Sequence, residues 1–200
     1  MRETEGQILC QNGEAVEAYY FSTSAGVTST DEIWGSDEAA PYLRSVPCKF
    51  DEEEPWSSWI VELPWKMLED RIREKGEGTV LRSVTVTRRS ESGAATALET
   101  VSDKDSCIIE NEYEIRKFLA PVNCMITEKD GTETAGGSLL PSAYFELERT
   151  QNGNLQVRGK GYGHGVGMSQ TGADKMAEQG YDYREILDYF FRNITVENLG

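Results

Sequence analysis

The sequence lacks long apolar segments and is poor in basic residues. No apolar run approaches the roughly 20 residues needed to cross a bilayer, and the opening MRETEGQ has no signal-peptide core. Twenty basic residues face 35 acidic ones, for a formal net charge of −15. Such a charge repels polyphosphates and anionic lipids, which argues against nucleic-acid and membrane partners, although it also serves simply to solvate a surface. We expect either a cytoplasmic protein or part of a longer one whose targeting segment precedes Met1.

Metal-binding patterns are also missing. The four cysteines, Cys10, Cys48, Cys107 and Cys124, form no Cys-x-x-Cys pair, and the chain has a single histidine, His164. A zinc site would need ligands from unrelated segments, so we predict neither a metal nor another cofactor. Four cysteines allow three disulfide pairings, and their spacing neither selects one nor excludes four free thiols.

The pattern of turns and apolar residues predicts an α+β fold of mostly antiparallel β-hairpins with a few short helices. Hairpin turns are expected at Asn12-Gly13, Ser92-Gly93, Asp130-Gly131 and Asn152-Gly153. Helices are expected over residues 63–76, 111–119, 171–179 and 182–193. The last two follow a glycine-rich strand. We expect one domain over residues 1–200, with residues 31–78 as an irregular and helical insertion lobe.

The glycine-rich segment GKGYGHGVGMSQTGA, residues 159–173, has glycine at every second position from Gly159 to Gly167. It does not match a phosphate-binding loop, because Asn154 and Gly161 stand where that loop needs glycine and Ser or Thr. The strict alternation also breaks the dinucleotide-binding pattern. Neither nucleotide-binding interpretation therefore holds.

An extended strand with this alternation would have one face of bare backbone. Its other face would carry Lys160, Tyr162, His164, Val166 and Met168. We predict that another surface approaches the bare backbone, while Tyr162 offers a ring face and His164 a switchable donor or acceptor. The alternative is that the glycines pack against a neighbouring strand and His164 is an ordinary core residue.

Two long motifs are specific: GYGHGVGMSQTGADKMAEQGYDYREILDYFF, and AYYFSTSAGVTSTDEIWG followed by PYLRSV. They resemble the C-terminal and the central signature of the stage II sporulation protein D family, also called the amidase-enhancer family. YEIRKFLAPVNCMI and LPSAYFELE are similar to its connecting motifs. Ala25 and Thr171 stand where the family pattern has glycine and tyrosine, which leaves two local contacts in question.

The resemblance implies a lytic transglycosylase that cuts peptide-stripped glycan strands of peptidoglycan. In that family one glutamate acts as general acid and then as base. It belongs to an E-M-P motif that is absent from this sequence. Glu62, in VELP, follows the tryptophan-glycine pair instead of preceding it, so we interpret it as a surface or helix-start residue. We assign no catalytic residue, and whether this chain is itself an enzyme stays open.

Carried over by motif, six residues are expected to bind substrate: Ser22, Ser24, Trp34, Tyr162, His164 and Gln170. Hydroxyl, amide and imidazole groups suit sugar hydroxyls, and aromatic rings suit pyranose faces. Each also has a structural interpretation: the serines in a turn, Trp34 in the core and Gln170 at a helix start.

The resemblance also implies partners and a location. The partners would be peptidoglycan glycan strands and possibly a cell-wall amidase. The location would be extracytoplasmic, at the cell wall or sporulation septum, if an exported N-terminal part is joined to this chain. Two alternatives stay open: a non-catalytic peptidoglycan-binding or amidase-enhancing module, and a fragment that folds only with its missing half.

Overall fold

The computed structural model describes residues 4–198, and its helices and strands form an α+β fold with mostly antiparallel sheets, as predicted. The strands are β1 (Gln7–Gln11), β2 (Glu14–Ala15), β3 (Tyr20–Phe21), β4 (Trp59–Leu63), β5 (Leu81–Arg89), β6 (Ala95–Ser102), β7 (Ser106–Glu110), β8 (Met125–Glu128), β9 (Glu133–Ala135), β10 (Phe145–Arg149), β11 (Leu155–Gly159), β12 (Met168–Ser169) and β13 (Thr195–Asn198). The helices are α1 (Trp65–Glu74), α2 (Glu112–Phe118), α3 (Gln170–Glu178) and α4 (Tyr183–Phe190).

The four predicted hairpins form as β1–β2, β5–β6, β8–β9 and β10–β11, all antiparallel. In the first turn, Asn12 and Gly13 have φ angles of 53° and 80°. Positive φ at both central residues is the geometry that matches the twist of a two-residue hairpin, and Asn-Gly adopts it readily. The four predicted helices also form, within a few residues of the expected bounds.

A five-stranded sheet, in the order β10-β11-β4-β8-β9, carries the larger core. Its middle strand β4 alternates buried and exposed residues and lies within residues 31–78, where we expected irregular and helical structure. Pro64 follows β4 immediately and has no N–H for a strand ladder, so the chain turns there into α1. Leu68 and Ile72 of α1 are fully buried in this core.

Residues 4–198 also form three smaller sheets: β5-β6-β7, β13-β1-β2 and the parallel pair β12-β3. A second core lies beneath the last of these, where Val166 packs with Phe190 and Phe191 from the end of α4. None of the described helices combines the length and the apolar character that a bilayer-spanning segment requires.

Candidate functional site

The two segments that carry the family signatures lie side by side. We call residues 159–167 the glycine segment and residues 19–29 the serine loop. The backbone hydrogen bonds that join them are Tyr162 N to Thr23 O (2.8 Å), Thr23 N to Tyr162 O (3.1 Å) and Ser29 N to Gly165 O (2.7 Å). Immediately after the glycine segment, β12 pairs with β3 at the start of the serine loop. Residues more than 130 positions apart in sequence are thus neighbours.

The glycine segment is not the extended ribbon that we predicted. Gly161, Gly163, Gly165 and Gly167 have φ angles of 74°, 117°, 86° and 79°, in the left-handed region. The chain therefore coils, and its side chains do not share one face. Val166 is fully buried in the second core, whereas Tyr162 is exposed. The prediction of a single face bearing all the side chains is wrong, because glycine gave the backbone a conformation that an L-residue strand does not adopt.

The glycines are needed for contacts within the protein. A Cβ atom at Gly161 would lie 2.8 Å from the carbonyl oxygen of Thr23, and one at Gly167 would lie 2.2 Å from that of Tyr19. These are backbone atoms of the serine loop, so they cannot move aside as a flexible side chain would. The alternative interpretation, tight packing against a neighbouring segment, is correct for these glycines.

His164 is half-buried between aromatic rings. Its ring centroid lies 5.2 Å from that of Trp34 and 5.8 Å from that of Phe21. Its Nδ1 accepts a hydrogen bond from the backbone N–H of Val166 at 3.1 Å. Because Nδ1 is an acceptor, the neutral ring carries its proton on Nε2.

The surroundings of His164 favour its neutral form. Burial lowers the pKa of the imidazole below its usual 6.5, and the nearby positive charge of Arg116 lowers it further. The backbone carbonyl of Tyr20 opposes the shift as a hydrogen-bond acceptor. At neutral pH the site therefore presents an uncharged imidazole.

Trp34 is fixed by a buried ion pair that the sequence patterns did not reveal. Glu112, which is 2% exposed, accepts hydrogen bonds from Trp34 Nε1 at 3.2 Å and from Arg116 Nη1 at 3.1 Å. Arg116 also donates to the backbone carbonyls of Leu140 (2.9 Å) and Pro141 (3.3 Å). Buried charges persist only when they are paired and hydrogen-bonded. The bonds from Trp34 and to the two carbonyls therefore explain how Glu112 and Arg116 stay charged inside the protein. The one signal in the sequence was the place of Arg116 in a connecting motif.

Ser24 lies inside the protein. It is 2% exposed, and its Oγ donates to Oδ1 of Asp51 at 2.7 Å, while its backbone N–H donates to Oδ2 at 2.8 Å. Asp51, itself 1% exposed, also accepts from Ser169 Oγ at 2.6 Å. Thr171 Oγ1 adds a longer contact to the same carboxylate at 3.3 Å. The Asp51 carboxylate thus joins the serine loop to the start of α3, and Ser24 has a structural role in it.

The other three predicted residues are accessible. Tyr162 is 43% exposed. Its ring packs edge-on against that of Trp56, with 4.7 Å between the ring centroids. Ser22 is half-buried, and its carbonyl accepts from Thr171 N at 3.0 Å, next to the exposed Gln170. Gln170 is the first residue of α3, and the helix is capped by Ser169, whose Oγ accepts from Gly172 N at 3.2 Å.

The accessible residues face more than one depression. Tyr162 lines a cavity of about 380 Å³ together with Trp56 and Arg116, whereas Trp34 lines a separate cavity of about 600 Å³. His164 lines neither of them. The structure therefore brings Trp34 and His164 into ring contact, with Tyr162 close by in the same glycine segment, and separates Ser24 from them by burial.

No metal site is seen among residues 4–198, where no three His, Cys, Asp or Glu side chains are grouped to hold an ion. All four cysteines are free thiols, which settles the pairing question left open by their spacing. Cys48 lies near Asp51, and burial with that charge raises the pKa of its thiol to about 12. It is therefore an unreactive core residue.

Comparison with known proteins gives both a family match and relatives that align along almost the whole chain. Residues 44–167 match the family described as "Domain of unknown function (DUF8618)". The chain is 30% identical to the stage II sporulation proteins D of Bacillus amyloliquefaciens and Bacillus subtilis, over 193 and 194 residues. Each alignment covers 96% of this chain and 48% of the relative. The amidase enhancer of Bacillus subtilis is 24% identical over 229 residues, covering 98% of this chain and 32% of that protein. The chain thus spans about half the length of the sporulation proteins that it matches.

Proposed function

Because the chain carries a DUF8618 domain and belongs to the family of stage II sporulation protein D and the amidase enhancer, we propose that it acts in sporulation or cell-wall remodelling. More specifically, we propose that it binds the glycan strands of peptidoglycan, as part of a lytic transglycosylase that acts on peptide-stripped glycan. Its place of action would be extracytoplasmic, at the cell wall or sporulation septum.

The arrangement of aromatic and polar groups around His164 is the observation that supports this proposal. The Trp34 and Phe21 rings contact His164. Tyr162, two residues before His164, and Tyr20, next to Phe21, are 43% and 60% exposed. Exposed rings suit the apolar faces of pyranose sugars, and a neutral imidazole can exchange hydrogen bonds with sugar hydroxyls. Tyr20 was not among the predicted residues, although it lies in the segment AYYFSTSAGVTSTDEIWG that resembles the central family signature.

Proton transfer is not assigned to a carboxylate of this site. Glu112 is a buried carboxylate bonded to the Trp34 ring, but Trp34 and Arg116 already occupy its two oxygens. A group so engaged is poorly placed to give a proton to a glycosidic oxygen. In this proposal cleavage uses a glutamate from outside these 200 residues, and the present chain supplies substrate binding.

A second candidate is a non-catalytic module that supports an amidase. The similarity to a protein named amidase enhancer, over 98% of this chain, favours it. The two candidates differ in what happens to bound glycan. Mass spectrometry of peptide-free strands after incubation with the protein separates them: 1,6-anhydro ends indicate cleavage, and intact strands that stay bound indicate a module.

Binding is tested with peptide-free glycan strands and three variants. Tyr162→Ala removes the exposed ring, and His164→Asn removes Nε2 while its amide oxygen can still accept from Val166 N–H. Tyr183→Ala is the control, since Tyr183 is similarly exposed (40%) but lies on α4. We expect the first two to weaken binding about fivefold or more, by analogy with stacked sugar or base contacts worth about 1–3 kcal/mol. Unchanged affinity in both would refute the proposal.

A further inference from the structure

Four basic side chains line two neighbouring cavities of this strongly acidic protein. Two cavities, of about 290 and 250 Å³, meet at Ala25 and Lys160, which line both. Their charged lining residues are the basic Arg89, Lys129, Arg158 and Lys160 and the acidic Glu52 and Glu146. Three of the four basic side chains have a carboxylate within 4.0 Å: Arg89 pairs with Glu146, Lys129 with Glu53 and Arg158 with Glu148. We call this pair of cavities the basic cleft.

Lys160 is the free charge of the basic cleft. Its backbone is held on both sides: its N–H donates to Tyr144 O at 2.9 Å, and its carbonyl accepts from Ser142 Oγ at 2.6 Å. Its ammonium group, in contrast, has no carboxylate within 4.0 Å among residues 4–198. A fixed backbone with an unneutralised ammonium suits the capture of an anion from solution.

Arg158 places a second cation in the basic cleft. It lies near the end of β11, two residues before Lys160, and both residues line the larger of the two cavities. Its nearest carboxylate, Glu148, is 3.8 Å away, and both side chains are more than half exposed, so this pairing is weak. The charges of Arg89 and Lys129 are neutralised, because Arg89 is bound to Glu146 and Lys129 to Glu53, each at 2.9 Å.

The basic cleft adjoins the candidate glycan site. Lys160 is two residues from Tyr162, and Ala25 N lies 2.9 Å from where a Cβ atom at Gly161 would stand. Ser57 and Ser58 line the smaller cavity, and their hydroxyl groups are of the kind that bonds sugar hydroxyls. A glycan bound at Tyr162 could therefore extend past Lys160.

We propose that Lys160, assisted by Arg158, binds the free carboxylate of an acidic sugar in the glycan, and so selects strands from which the peptide has been removed. Muramic acid carries this carboxylate free only when no peptide is attached to it. A peptide-bearing sugar would place an uncharged amide and a bulky chain at the same position. This inference rests on the proposed function and adds to it the group by which stripped glycan is distinguished.

The test compares three ligands of matched length by calorimetry or fluorescence anisotropy. They are peptide-free glycan, the same glycan with its carboxylates converted to methylamides, and neutral chitooligosaccharide. The variants are Lys160→Gln and Lys160→Glu. Lys66→Gln is the control, because it changes net charge by as much as Lys160→Gln does but lies on α1 and is 63% exposed.

For the unmodified protein we expect about two- to fivefold tighter binding of the free-carboxylate strand than of its methylamide. This ratio of affinities corresponds to the free energy that a single exposed ion pair contributes. Lys160→Gln should remove this preference, Lys160→Glu should reverse it, and Lys66→Gln should keep it. Raising the salt from about 20 to 200 mM should shrink the preference by screening.

Each result decides between the two ideas. A preference that survives both Lys160 variants overturns the carboxylate inference, while binding of chitooligosaccharide that depends on Tyr162 leaves the proposed function standing. Equal binding of strand and methylamide by the unmodified protein also overturns the inference. Failure to bind any of the three ligands would refute the proposed function, and the inference with it.

Discussion

Replacing Gly161 with alanine tests whether the glycine segment is held by close contact with the serine loop. The residue has φ +74°, which costs an L-residue about 1–2 kcal/mol. The new methyl group would lie 2.8 Å from Thr23 O and 2.9 Å from Ala25 N, and such overpacking costs about 1–3 kcal/mol more. Alanine recovers about 0.4–1 kcal/mol by restricting the unfolded chain. We expect a net loss of about 2–4 kcal/mol in the free energy of unfolding.

Gly131→Ala provides the matched control for this experiment. Gly131 has φ +87° in the β8–β9 turn, but no atom lies within 4 Å of the position that the new methyl group would take, so only the backbone strain applies. We expect that variant to lose about 1 kcal/mol. Urea denaturation followed by tryptophan fluorescence measures the free energy of unfolding of both variants. Equal losses for the two variants would show that the contact with the serine loop carries no energy, and the close-packing explanation would then be wrong.

Three further predictions concern buried polar groups. Asp51→Ala should lower the free energy of unfolding by about 3–5 kcal/mol, since it leaves a buried N–H and hydroxyls without their acceptor, whereas the exposed Asp37→Ala should change it by less than about 0.5 kcal/mol in the same urea assay. Glu112→Ala should cost about 3–5 kcal/mol, because it leaves Arg116 charged and unpaired; full stability of this variant would contradict the ion-pair assignment. His164, the single histidine, should titrate below 6.5 by NMR. Because its folded pKa is lowered, its contribution to stability should be complete above pH 6.5 and decline as the pH falls toward the folded pKa, and a midpoint above 6.5 would refute this.

Local sequence signals predicted the hairpins and helices well because their causes are local. Asn12-Gly13 specifies its turn through the φ angles that these two residues tolerate, whatever lies elsewhere in the chain. Asp182 caps α4 with Glu185 by the same kind of short-range bonding. Strand β13 was missed because it is short and its partner is β1, at the other end of the chain. Its formation depends on a contact that periodicity does not encode.

The glycine segment shows why the site was harder to predict than the fold. An alternating pattern fits an extended strand, but it fits a coiled segment with φ > 0 at the glycines equally well. Only the position of the serine loop decides between them, and that loop is distant in sequence. Likewise, Glu112 at the start of a helix is typical of a solvated end, and its burial follows from Trp34 and Arg116, which the fold brings to it.

The internal role of the glycines changes how a binding role for their neighbours has to be understood. Tyr162 and His164 each stand between two glycines, and each glycine fixes the backbone by fitting against a partner within the protein, such as the Thr23 carbonyl or the Tyr144 ring. A ligand therefore need not approach the glycine backbone at all. The glycines instead hold the phenol and imidazole at set positions, which limits the conformational entropy that binding would otherwise cost. It follows that Gly161→Ala should weaken glycan binding even under conditions where the variant stays folded, because it displaces Tyr162 without removing any group that touches the sugar.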